Sequence, residues 1–256
     1  MDAILHSPLV DFFRRNEVAL DIRILAARGA IAPRAMEQLA LLMILTADRH
    51  PEVKETAEAT ISRLPQDVLS AFIARTDVPE EMRAFFVARG VPVAAVPSAD
   101  EPDVLVDTDD TDYGPEETAD EDPQSVFTRI AAMTVPEKVK AAMKGSREMR
   151  AILIRDPNKL VSLSVLSGPK VSDTEVEGYA RMGSVSEDVL RAIAARRAWT
   201  KNYSVVLALV KNAKTPVSLT MNMLPRLREQ DLKRLSTDRN VPEVLRITAR
   251  KKLVLG

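Results

Sequence analysis

The run SADEPDVLVDTDDTDYGPEETADEDPQ, residues 98–124, decides how this chain is organised. It carries twelve Asp and Glu side chains, and no Lys or Arg occurs between Arg89 and Arg129. Pro97 precedes it, and Pro102, Pro115 and Pro123 punctuate it. With so little apolar content it cannot bury enough surface to offset the entropy of ordering. The expectation is a disordered acidic linker over 91–128, joining an N-terminal helical module, 1–90, to a basic C-terminal one, 129–256. Val104–Val106 is the only apolar triplet in the run, too short and isolated to read as a strand.

Charge follows the same division. Residues 1–97 hold 11 basic and 13 acidic side chains, residues 98–123 carry −12, and residues 124–256 hold 25 basic against 12 acidic, a net +13. The overall charge of −1 is therefore a cancellation between the linker and the half that follows it.

Composition narrows the fold and the chemistry. Apolar residues make up 46% and charged ones 29%, as in a soluble globular protein. Only 4% are aromatic and only 8 residues are Gly, which favours helices over tight hairpins. With no Cys, a disulfide framework, a thiol nucleophile and a Cys zinc site are all excluded. The stretch MDAILHSPLVDFFRRNE has Asp2 where a signal peptide needs positive charge, and His6, Pro8 and Asp11 break its apolar run. No uncharged apolar run is long enough to span a bilayer. A cytoplasmic location without membrane insertion is expected.

Outward from the acidic run, apolar residues recur at helical spacing. The N-terminal part predicts helices over 32–47 and 51–62, then around Val68–Ile73 and Met82–Phe86. The C-terminal part predicts helices over 136–144, 146–155, 158–166, 173–183, 186–197, 201–212, 216–226, 229–236 and 242–253. Within one of these, VVLALV (205–210) is apolar all round, as an inner helix covered on several sides should be. Pro51-Glu52, Pro79-Glu80, Pro136-Glu137 and Pro242-Glu243 each place Pro at an expected first helical position, with a carboxylate facing the positive end of the helix dipole.

Two stretches also match one another: DRHPEVKETA (48–57) with DRNVPEVLRITA (238–249). TDVPEEMRAFFVAR (76–89) is a looser copy, and NKLVSLSVL (158–166) aligns with NYSVVLALV (202–210). This pattern, an Asp-x-x-Pro-Glu-Val turn followed by an apolar helix, resembles HEAT-type and leucine-rich-repeat-variant α-solenoids of bacterial proteins. The resemblance covers 17–90 and 134–254. It implies an all-α fold of irregular HEAT-like helical repeats and a habit of binding partners along a concave face. It transfers no catalytic residue.

No catalytic or cofactor motif stands out. His6 and His50 are far apart and lack metal-ligand spacing. Lys144-Gly145-Ser146-Arg147 and Ser167-Gly168-Pro169-Lys170 are not phosphate loops, since neither completes the G-x-x-x-x-G-K-[ST] pattern. Carboxylates in a disordered run cannot be held at a working separation. The expectation is a protein that is not an enzyme and holds no cofactor or metal.

The functional lead is the basic half. Its candidate partner-binding residues are Lys144, Arg147, Arg150, Arg155, Lys159, Arg196, Arg197, Trp199, Lys201, Lys211 and Lys214. The first reading is a non-enzymatic scaffold or adaptor that binds another protein along a helical face. The alternative is DNA or RNA binding through counterion release, with Arg197 and Trp199 stacking on an unpaired base. In that alternative the acidic run, with an end-to-end reach of roughly 30 Å, folds back and screens the basic surface.

Overall fold

Every regular element among the described residues is helical, with no strand. The description comes from a computed structural model and covers residues 7–32, 34–99, 105–106 and 123–255. Two compact units divide the chain: Met1–Arg150 with Ser167–Pro169, and Ala151–Leu166 with Lys170–Gly256. No described helix is long and apolar enough to cross a membrane.

The first unit contains α1 (Pro8–Arg14), α2 (Leu20–Ala27), α3 (Ala35–Leu45), α4 (Pro51–Ser62), α5 (Gln66–Ile73), α6 (Glu80–Val87), α7 (Pro123–Ala132) and α8 (Val135–Lys144). Its central element is α3, whose sequence AMEQLALLMIL has almost no polar face. Such a helix must be covered on several sides, and α3 packs against α1, α2, α4 and α6. Leu39, Leu41, Leu42 and Leu45 are essentially inaccessible, and so is Gln38, an amide in an apolar setting. Each fully buried leucine contributes about 1.5–3 kcal/mol.

The ends of the expected linker are structured. Val91 is buried, and Ser70 Oγ donates to Pro92 O at 2.7 Å. The amides of Ala94 and Ser98 donate to the carbonyls of Ser70 and Ala71, so 91–99 runs along α5. At the other end, 123–128 forms the start of α7, where Val126 and Ile130 share a buried face. Of the acidic run itself, 100–104 and 107–122 lie outside the described residues, and the reading of a disordered linker falls there.

After α9 (Arg147–Leu153), which crosses the boundary at Arg150, the second unit contains α10 (Lys159–Ser167), α11 (Asp173–Arg181), α12 (Glu187–Ala195), α13 (Arg197–Thr200), α14 (Tyr203–Lys211), α15 (Val217–Met223), α16 (Glu229–Thr237) and α17 (Glu243–Leu255). Helix α14 touches α11, α12, α13 and α15, and Val205, Val206, Ala208, Leu209 and Val210 are buried, as the all-apolar run requires. Helices α16 and α17 pair closely. The segment expected as one helix over 186–197 is broken at Arg196. That residue is extended (φ −83°, ψ 105°), and its guanidinium donates to Leu166 O at 2.9 Å.

The Asp that precedes each Pro-Glu of the two matching stretches, by three residues at Asp48 and by four at Asp238, has a local role. Asp48 Oδ1 accepts from His50 N at 2.8 Å, and Asp238 Oδ1 accepts from Asn240 N at 2.9 Å. These are Asx turns, in which a side chain closes the loop before the next helix. Asp156 and Asn212 make the same bond to Asn158 and Lys214 without a Pro-Glu behind them.

Candidate partner-binding surfaces

The candidate residues fall in both units: Lys144, Arg147 and Arg150 in the first, the remainder in the second. Several are engaged within their own unit. Arg150 is 4% exposed and donates to Gly145 O at 2.8 Å. Arg155 Nε reaches back to Ala151 O at 3.1 Å. Lys159 pairs with Asp188 at 2.9 Å, and Lys214 Nζ donates to Val185 O at 3.2 Å. Lys144 and Arg147 are exposed at the end of α8 and the start of α9, and Lys211 is half-buried at the end of α14.

Trp199 is 6% exposed, with the guanidinium of Arg196 lying 4.4 Å from its ring centroid. The cation over the indole is therefore Arg196, and the ring faces the core of the second unit. Arg197 and Lys201 do converge: with Thr200 and Arg226 they line a cleft of about 270 Å³. Arg226 also donates to Thr200 O, which holds its guanidinium at the cleft. Here three cations of the basic half share one opening.

Helix α17 supplies a surface of a different kind. Its buried side, Leu245 and Ala249, faces inward. Val244, Ile247 and Val254 are 54%, 43% and 84% exposed. At 100° per residue these three fall within one sector of the helix, roughly opposite the buried side, and share it with exposed Lys251. Beside it lies a cleft of about 740 Å³, lined by Leu227, Leu232, Leu253 and Thr248 with Lys251, Lys252 and Glu229.

The first unit holds a constellation that charge counting does not reveal. Gln38, 1% exposed, uses its side-chain amide in both directions. Nε2 donates to Gly29 O and to Val106 O, each at 2.9 Å. Oε1 accepts from Leu105 N at 2.8 Å and Val106 N at 3.1 Å. Two donors and two acceptor positions are the full capacity of a carboxamide, and only one orientation of the group satisfies all four. Gly29 ends α2 with φ +86°, its amide bonded to Ala26 O and that of Ala30 to Leu25 O, a Schellman closure that favours glycine. The sequence signals were a Gln inside an apolar helix and an apolar triplet inside the acidic run.

Two carboxylates, one bonded to a tyrosine and one to a threonine, go with shifted titrations. Tyr203 OH donates to Asp231 Oδ2 at 2.5 Å and accepts from Arg228 N at 3.1 Å. Loss of solvent, then the bond to Asp231, push the phenol above its ordinary value. Glu137 lies below the ordinary carboxylate range because Thr134 donates to it through both hydroxyl and amide. No protein-family model matches the chain, and no curated protein or solved structure matches it.

Proposed function

We propose that this protein is a non-enzymatic helical-repeat scaffold that binds a protein partner along a helical face of its basic half. The observation that carries the reading is the exposed apolar side chains Val244, Ile247 and Val254 on α17, beside a cleft lined by three leucines with Lys251, Lys252 and Glu229. Side chains of this kind on a rigid helix suit an amphipathic partner helix, and the lysines select an acidic one. The recurring Asx turns at Asp48, Asp156, Asn212 and Asp238 support the repeat reading, since each prepares the next helix by the same bond.

The test uses the full chain and the protein that it retains on affinity chromatography, purified and titrated calorimetrically. Ile247→Asp places a charge on an exposed position, so folding is kept while the apolar contact is lost. The expected result is at least tenfold weaker binding, about 1.4 kcal/mol. Unchanged affinity in both Ile247→Asp and Val244→Asp overturns this surface as the binding face.

Nucleic-acid binding is the second reading, and the cleft of Arg197, Lys201 and Arg226 is the observation that favours it. Three converging cations suit phosphate oxygens.

A further inference from the structure

The Gln38 constellation has the composition of a ligand site. Its side chain is a hydrogen-bonding group buried in an apolar unit, and three of its four bonds go to a dipeptide 67 and 68 residues further along the chain. All three are to backbone atoms. The pairing is that of a sheet edge, with a carboxamide in place of the neighbouring strand. Gly29 is shaped to the same occupant: a Cβ there would stand 3.3 Å from Val106 Cβ and 3.1 Å from Gln38 Nε2. Arg28 and Arg34 are exposed in the connection that carries Gly29, and the triplet Val104–Val106 that contains the dipeptide is flanked in sequence by Asp103 and Asp107.

We propose that Gln38 and Gly29 form a binding site for an extended acidic peptide with two consecutive aliphatic residues, and that the chain's own Leu105–Val106 is its resident ligand. Gln38 recognises the peptide's backbone, the absent Gly29 side chain leaves room for the second aliphatic residue, and the arginines supply charge of the right sign. Without the dipeptide the amide would exchange three protein partners for water, so the net gain from occupancy is that of ordinary hydrogen bonds together with the apolar contact at Gly29. Because the ligand is tethered, its effective concentration is in the millimolar range, and a free peptide meets a site already filled.

The experiment has two arms, both on the full chain. Amide hydrogen exchange at Leu105 and Val106, read by NMR, is expected to be at least tenfold slower than in the free peptide Glu101–Asp110. Val106→Pro removes one donor and the aliphatic contact at Gly29, and is expected to return Leu105 to the free-peptide rate. In the second arm the fluorescein-labelled Glu101–Asp110 peptide is titrated in trans. It is expected to bind the Val106→Pro chain at least tenfold more tightly than the wild type, and to lose that binding when Gln38→Ala is added. Gln38→Glu, which keeps the acceptor but not the donors, is expected to bind the peptide with intermediate affinity. Free-peptide exchange rates in the wild type overturn the cis occupancy. Slow exchange with no trans binding to Val106→Pro, or with binding insensitive to Gln38, reduces the contact to ordinary tertiary packing and overturns the site. None of these readouts involves α17, so the fate of the scaffold surface is decided separately.

Discussion

Gly145 closes α8 where an added Cβ would meet Ala141 O at 2.4 Å and Met149 Sδ at 2.8 Å. The carbonyl belongs to the backbone and has little room to retreat. Gly145→Ala is expected to destabilise by about 1–3 kcal/mol, as overpacking does. Gly178, inside α11, has nothing within 4 Å of that position, so Gly178→Ala is expected to stabilise by about 1 kcal/mol through helix propensity. Urea midpoints at unchanged m-value measure both, and a neutral Gly145→Ala would contradict the close approach. Sequence places Gly145 just past one expected helix and Gly178 inside another, but only packing shows how close Ala141 O and Met149 Sδ stand to the first. The same limit applies to Arg196 and Arg197. Adjacent helical positions point about 100° apart, and the helix break at Arg196 decides that this guanidinium, rather than its neighbour's, covers Trp199.

At the level of elements, the periodic apolar pattern is a good guide, since burial on one side is what makes a short helix persist. Starts are read less well. Pro51 is the first residue of α4, but Pro79 precedes α6, Pro136 is the second residue of α8 and Pro242 precedes α17. A side-chain cap can outrank proline in choosing where a helix begins: at α8 Thr134 and Glu137 form a reciprocal capping box. The carboxylate of Glu137 titrates below its ordinary range, with the Thr134 side chain as the main cause. Because the folded value is depressed, this cap's contribution is complete above the unfolded value. It is lost as pH falls through the folded one, within the acid range. NMR titration is expected to give Glu137 a lower midpoint than in the unfolded chain, and Thr134→Ala is expected to raise it. An unmoved midpoint would show that the box does not form in solution.

For the whole molecule, composition and contact divide the chain at different places. Charge changes sign near Arg129, whereas the compact units divide at Arg150 and Ala151. Charge counting registers solvated side chains; unit boundaries register burial, and α8 packs on α2 within the first unit. The net +13 is also a poor measure of available charge, because Arg150, Lys159, Arg196 and Lys214 each have a partner within their own unit. If the nucleic-acid reading holds through Arg197, Lys201 and Arg226, about three ions are released on binding. The affinity of the full chain for an oligonucleotide is then expected to fall roughly 40-fold between about 50 and 200 mM salt. Fluorescence anisotropy measures this slope, and Arg197→Ala is expected to reduce it by about one ion. A slope near eight would implicate the wider basic set, and no binding at 50 mM removes the reading. What could be read in advance was the helical class and the charge division. The Gln38 contact joins residues 67 and 68 positions apart through backbone atoms, which no composition or periodicity records.

That contact has a consequence for how the sequence can drift. Gln38 bonds only to main-chain atoms of Leu105 and Val106, so the bonds themselves are indifferent to which letters stand there, proline apart. The constraint is displaced onto the receiving side, where Gln38 and Gly29 have no adequate substitutes. Across descendants of this chain, Gln38 and Gly29 are expected to stay fixed while the acidic run varies around an aliphatic pair and its acidic flanks.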